Sequence, residues 1–273
     1  MISIIKEILI RRSLIRELVI KDLKIRYSRP MLGFLWAFLL PFLNVVILYI
    51  VFSLILKVKT EEAPFFLYLM SAVFPWRFFQ DSLICSVTSL LDNKNLIKES
   101  NFPHYLIPLS VVLANMVNFL PSLFVLIVTS LFILKGLPIF ILLLPAVLLV
   151  HLIIAVGMAI ILSILYVKWR DIKYILEVAL LLLFYLTPAF YSIYLVKNSF
   201  SRLLFIAYIG NPLVGILNLY RFILFKGFYS VIHKDISPIS FIIIPIGFGI
   251  VLLVSSFYFY RNNKNTINDY LSY

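Results

Sequence analysis

The chain has 273 residues, of which 63% are hydrophobic and 13% charged, with a mean hydropathy of +1.07. A soluble domain carries roughly 45–50% apolar and about 25% charged residues, so the apolar excess must face lipid and a soluble enzyme is excluded. The net charge of +12 has no folded polar domain to display it, which sets aside nucleic acid as a partner and leaves membrane topology as its cause.

The first thirty residues read as a basic, amphipathic segment. Leu14, Ile15, Leu18, Val19 and Leu23 recur at helical spacing, with Arg12, Arg16, Lys21 and Lys24 around the rest. Such a helix lies along a membrane surface, apolar side down and cations toward anionic headgroups. Arg29-Pro30 ends it, because the residue before proline avoids the helical region, and Pro30 opens the next helix. The charged region is too long, and the apolar run after it too complete, for a cleavable signal peptide.

A spanning helix needs about 20 apolar residues. Six segments are predicted to span: 33–56, 64–91, 106–134, 137–167, 173–196 and 238–260. The stretch 201–226 holds Arg202, Arg221 and Lys226 and is too polar for a comfortable span. It reads as two short helices that dip in and return, broken at Gly210-Asn211-Pro212. The predicted fold is an all-α membrane protein of one domain, residues 1–273. An interface segment covers 1–30, a six-span bundle 33–260, and an external re-entrant segment lies between spans five and six. Lys and Arg concentrate in the N-terminal segment, in 92–105, in 168–173 and after residue 260, which places both termini in the cytoplasm.

The spans differ in what they carry. In the first, Phe34, Phe38, Phe42, Tyr49 and Phe52 fall within an arc of about 80° at 100° per residue, along nearly the whole hydrocarbon thickness. Phe184 and Tyr191 share one face of the fifth span with Glu177. An interfacial belt would place rings only at the two membrane surfaces. A stripe from end to end reads either as ordinary packing or as a path on which sugar rings slide. The second span holds Arg77 and Asp81 four residues apart, the spacing of an intramembrane ion pair. Glu177 is similarly placed to pair with Lys173. Cys85 is the single cysteine, and His104, His151 and His233 are scattered, so neither a disulfide nor a metal site is expected. There is no Gly-x-x-x-x-Gly-Lys-Ser/Thr loop, so any ATP is bound by another chain.

Six stretches, in one order, resemble the membrane subunit of type-two ABC exporters, in the branch that moves polysaccharides and teichoic acids. They are "KDLKIRYSRPMLGFLWAFLLP" from Lys21, "VFPWRFFQDSL" from Val73, "NKNLIKESNFPHYLIPLSVVLAN" from Asn93, "YVKWRDIKYIL" from Tyr166, "LTPAFYS" from Leu186 and "NPLVGILNLYRFILF" from Asn211. The resemblance implies that two copies form a channel and that each binds one separate ATP-binding subunit, which holds the ATP and magnesium. It implies a coupling helix within Asp92–Tyr105, with Asn95, Leu96, Ile97, Lys98, Glu99, Phe102 and Pro103 meeting the ATPase. Arg16, Lys24 and Arg26 of the surface helix help clamp it. The substrate would be a lipid-linked glycan (O-antigen, capsule or teichoic acid), exported across the cytoplasmic, inner membrane of a bacterium or archaeon. Glu99-Ser100-Asn101 and Arg77 depart from the family's usual pattern. The alternatives are export of a drug or lipid by the same machinery, and a polyprenyl-lipid enzyme, for which no acidic motif is present.

Overall fold

The computed structural model describes residues 2–28, 33–58, 60, 63–99, 102–225 and 238–272. The expected elbow at Arg29-Pro30 and the loop holding Lys226 and His233 lie outside these residues. All regular structure among the described residues is helical: α1 (Ile2–Ile10), α2 (Arg12–Tyr27), α3 (Trp36–Tyr49), α4 (Phe65–Asp92), α5 (Lys94–Glu99), α6 (Leu106–Ile133), α7 (Leu144–Lys168), α8 (Ile172–Leu186), α9 (Ile193–Ser199), α10 (Arg202–Ile209), α11 (Pro212–Leu224) and α12 (Pro238–Ser272). A 3-10 turn, Gly33–Leu35, leads into α3, and a π-helical turn, Ile50–Ile55, prolongs it. Another 3-10 turn, Ile139–Leu143, leads into α7.

Four helical stretches are long and apolar enough to cross a membrane alone: Gly33–Ile55, Leu106–Ile133, Ile139–Lys168 and Ile239–Lys264. The predicted second span is the 28-residue α4, about 42 Å at 1.5 Å per residue. It is less apolar because it is the centre of the bundle, flanked by α3, α6, α7, α8 and α11. The predicted fifth span, 173–196, is corrected. Its helix ends at Leu186, Thr187 is extended (φ −98°, ψ 155°), and α9 starts only at Ile193. Pro188 explains the stop, since it pushes Thr187 out of the helical region and supplies no N–H. The 15-residue α8 is therefore about 22 Å long. Between α10 and α11 the axis turns by 75° at the predicted Gly210-Asn211 break. There Asn211 Oδ1 accepts the Leu213 N–H at 2.9 Å, and Pro212 opens the new helix.

The amphipathic α2 also packs on the bundle. Its apolar side meets protein before lipid: Ile15 and Leu18 are buried, Leu14 and Val19 lie against the same core, and α2 packs on α6. Its contact with α6 includes a polar bond, Arg26 to Asn115.

Close helix approach depends on small residues, as in other membrane bundles. A Cβ on Gly157 of α7 would stand 2.9 Å from Leu252 Cγ of α12, and one on Gly215 of α11 would stand 2.6 Å from Pro245 Cγ. Four buried serines spend their hydroxyls within their own helix. Ser71, Ser89, Ser110 and Ser163 each donate to the carbonyl three residues back, at 2.7–2.9 Å, which satisfies them within one helix.

Candidate functional site

A cavity of about 310 Å³ lies where the end of α2 and the start of α3 meet the middle of α4 and α6. Its polar lining is Arg26 from α2, Arg77 and Asp81 from α4, and Asn115, Asn118 and Ser122 from α6. Tyr27, Trp36, Phe74, Phe78 and Phe119 supply aromatic walls. Asp81 lies eleven residues before the end of α4 at Asp92, about 16 Å at 1.5 Å per residue, so the cavity is deep in the bundle.

The expected Arg77–Asp81 ion pair does not form. Both residues face the cavity, but no contact within 4.0 Å closes between them, whereas Arg11 and Glu7, also four apart, approach to 3.8 Å. Arg77 Nε is buried without a hydrogen-bond partner. Glu177 and Lys173 form no such pair either, and Glu177 is exposed. A second cavity, about 210 Å³, lies between α3, α4 and α8 and is lined by Asn44, Gln80, Trp76 and Phe184 among others. Arg77 lines both cavities and so stands at their common wall.

Arg26, expected on the ATPase-facing surface, points inward instead. Its Nη1 donates to Asn115 Oδ1 at 2.7 Å and its Nη2 to Cys85 Sγ at 3.4 Å. Asn115 completes its bonding by donating to the Val111 carbonyl at 3.0 Å. A guanidinium in an apolar bundle is held only where its donors are matched, and α6 supplies that match. Arg16 and Lys24 remain exposed on α2.

The segment expected to meet an ATPase folds as the short helix α5. Ile97 is buried, as is Phe102 beyond it, and these anchor the segment while Asn95 and Lys98 are exposed; Leu96 and Pro103 are half-buried. Glu99 ends α5. The N-terminal arm is tied to this segment twice: Lys21 donates to Asn93, and Tyr105 Oη donates to Glu7 Oε2 at 2.9 Å. His104 closes the segment. Its backbone N–H donates to Tyr260 Oη at 3.2 Å, and its ring Nδ1 is buried without a partner. Burial first, and then Lys264, hold its pKa below the ordinary histidine value.

The aromatic stripe on α3 is continuous but is zipped to rings of the same chain. Phe38 meets Phe42 at 5.2 Å and Phe74 edge-on at 6.5 Å. Phe42 and Tyr49 both meet Phe66 edge-on, at 6.3 and 5.5 Å. Phe52 stacks on Phe190 at 4.8 Å. Phe184 lies 5.5 Å from Trp76 and 6.0 Å from Phe190, which Tyr191 meets at 5.3 Å. Phe34, 42% exposed, touches Tyr27 at 5.3 Å. The other six stripe residues are half-buried. Each ring thus spends one face or edge on packing and keeps part of its surface outside the protomer.

Two groups escaped the sequence reading. Asn115, Asn118 and Ser122 fall at steps of three and four in α6, one face of a helix, and that spacing was a readable signal. Arg221, counted only as a loop charge, is fully buried. It lies over the Tyr68 ring at 3.6 Å, its Nη2 donates to the Pro188 carbonyl and to that of Ala189 at 3.3 Å, and Nη1 reaches Asn218 Oδ1 at 3.4 Å. It therefore clamps the break after α8 to α11. No local pattern announces this, because Pro188, Ala189 and Tyr68 are all more than thirty residues away. Among the described residues no three His, Cys, Asp or Glu side chains gather as a metal-holding group.

Comparison with known proteins gives this geometry a lineage. A family model described as ABC-2 type transporter matches residues 13–225, from the N-terminal arm to the end of α11. A Myxococcus xanthus protein named O-antigen export system permease protein RfbA is 30% identical over 226 residues, 83% of this chain and 85% of that one. Two Klebsiella pneumoniae proteins of the same name are 33% and 31% identical, covering 76% and 84% of this chain and 78% and 87% of their own lengths. The chain belongs to the ABC-2 type transporter family of multi-pass membrane proteins.

Proposed function

We propose that this chain is the channel-forming half of an ATP-driven exporter that carries a lipid-linked polysaccharide from the cytoplasmic leaflet outward. The polymer is of the O-antigen, capsule or teichoic acid class. The observation that carries the reading is collinear likeness, over more than four-fifths of the chain, to two permeases named for O-antigen export. Two copies in the cytoplasmic membrane, with all termini inside, enclose the path. Each binds one separate ATP-binding subunit, which holds ATP and magnesium and performs the hydrolysis.

The described geometry supports a division of labour. The anchored α5, with Asn95 and Lys98 turned outward, is the contact that ATP-driven movement pushes on. Lys21 and Tyr105 pass that push to the N-terminal arm, and Arg26 passes it into α6. The outward surfaces of Phe34, Phe38, Phe42, Tyr49, Phe52, Phe184 and Tyr191 form the wall on which sugars slide, each ring offering weak, sequence-tolerant stacking. Deleting the gene in its host tests the reading. Lipid-linked glycan should accumulate at the inner face of the membrane and surface polymer should vanish, with both reversed by the intact gene. Surface polymer at the parental level in the deletion strain would overturn it.

A further inference from the structure

We propose that the cavity between α2, α3, α4 and α6 binds one sugar ring of the exported glycan, as a recognition pocket within each protomer rather than part of the path between protomers. The source of the sugar rests on the exporter reading above; the chemistry rests on the cavity. Asn118 is only 9% exposed, yet both its Nδ2 and its Oδ1 lack hydrogen-bond partners. One turn earlier, Asn115 has both amide atoms engaged. An unpaired amide in an apolar bundle is unfavourable, so Asn118 is held ready for a group that both donates and accepts.

A hydroxyl does both, whereas a phosphate oxygen ionised at neutral pH only accepts. A phosphate would leave Asn118 Oδ1 unpaired and would face the Asp81 carboxylate. A sugar ring matches the remaining groups as well: Asp81 accepts from a hydroxyl, Arg77 Nε donates to one, and Trp36 and Phe119 give the lining aromatic surface for the ring's C–H groups. A volume of about 310 Å³ is at the small end of ligand pockets and admits one ring rather than a chain. Leu40 of the α3 wall is 49% exposed, so the cavity lies beside a surface that a lipid tail can follow.

The test uses the full-length chain in lipid nanodiscs and a hexose on a dodecyl tail, with a photoreactive diazirine on the sugar. After illumination, labelled peptides are mapped by mass spectrometry. Labels should fall within residues 74–81 and 115–122. Dodecyl hexoside should displace them, while dodecyl phosphate at the same concentration should not. Asn118→Leu should weaken labelling about tenfold, the scale of two lost hydrogen bonds. Asn118→Ser, whose hydroxyl still donates and accepts, should retain most of it, separating lost recognition from lost fold. Asp81→Asn should reduce labelling of a sugar. Displacement by dodecyl phosphate, stronger labelling in Asp81→Asn, or unchanged labelling in Asn118→Leu would each overturn the pocket. Those failures leave the exporter reading standing, because the deletion experiment judges that reading without reference to the cavity.

Discussion

Replacing Arg221 with methionine removes a cation that three separate pieces of chain share. Its side chain is fully buried, over the Tyr68 ring of α4 at 3.6 Å and bonded to the carbonyls of Pro188 and Ala189. Hydrogen bonds to a charged group contribute about 1.5–3 kcal/mol each, and a desolvated cation–π contact about 2 kcal/mol. Against this stands the cost of burying a guanidinium, several kcal/mol, which methionine does not incur. The net loss expected for Arg221→Met is about 3 kcal/mol. At about 2–4 °C per kcal/mol for a chain of this size, the midpoint of thermal unfolding in detergent should fall by roughly 6–12 °C. Hydrogen exchange should rise first in residues 187–192, where the Pro188 and Ala189 carbonyls lose their donor. Arg221→Lys should recover little, because an ammonium cannot fork across two carbonyls and lie flat on a ring. An Arg221→Met protein as stable as the parent, with 187–192 still protected, would refute the clamp.

Three further outcomes follow from the geometry. Gly157→Leu forces a side chain into Leu252, which a Cβ alone would approach to 2.9 Å; it should cost about 1–3 kcal/mol and loosen α12 from α7, read by exchange or by a cross-link between them. His104 has its pKa lowered by burial and Lys264, so the folded state prefers the neutral ring. That contribution is complete above about pH 6.5 and is lost as pH falls below it; exchange protection in 94–105, relative to the intrinsic rate at each pH, should fall toward pH 5.5, and His104→Phe should remove the dependence. If rings rather than bulk form the path, Phe38→Leu with Phe42→Leu should preserve packing but slow export of pulse-labelled polymer several-fold, and export at the parental rate would exclude a role for the rings.

Sequence reading reached furthest where a pattern is local. The break at Gly210-Asn211-Pro212 and the run of spans 33–56, 106–134 and 137–167 depend on proline chemistry and apolar length, which a chain displays residue by residue. It went wrong where a neighbour distant in sequence decided the outcome. The stop at Leu186 was written in Pro188, but the apolar residues on both sides of it, Leu186, Ala189, Phe190 and Ile193, masked it. That Ile15 and Leu18 of α2 are buried, with α2 packed on α6, is likewise announced by no local pattern. Arg77 and Asp81 have the spacing of a pair, yet the cavity beside them gives each another direction to face. Arg26 was legible as a cation and illegible as a partner of Asn115, eighty-nine residues away.

The central claim is that this chain works as half of an ATP-driven channel. It is tested most directly by purifying the tagged protein from its native host in mild detergent and measuring subunit masses and stoichiometry. The account predicts a complex of two copies of this chain with two copies of a separate ATP-binding protein, held through the surface that includes α5. A chain that purifies alone under every gentle condition, with no ATP-binding subunit, would contradict it.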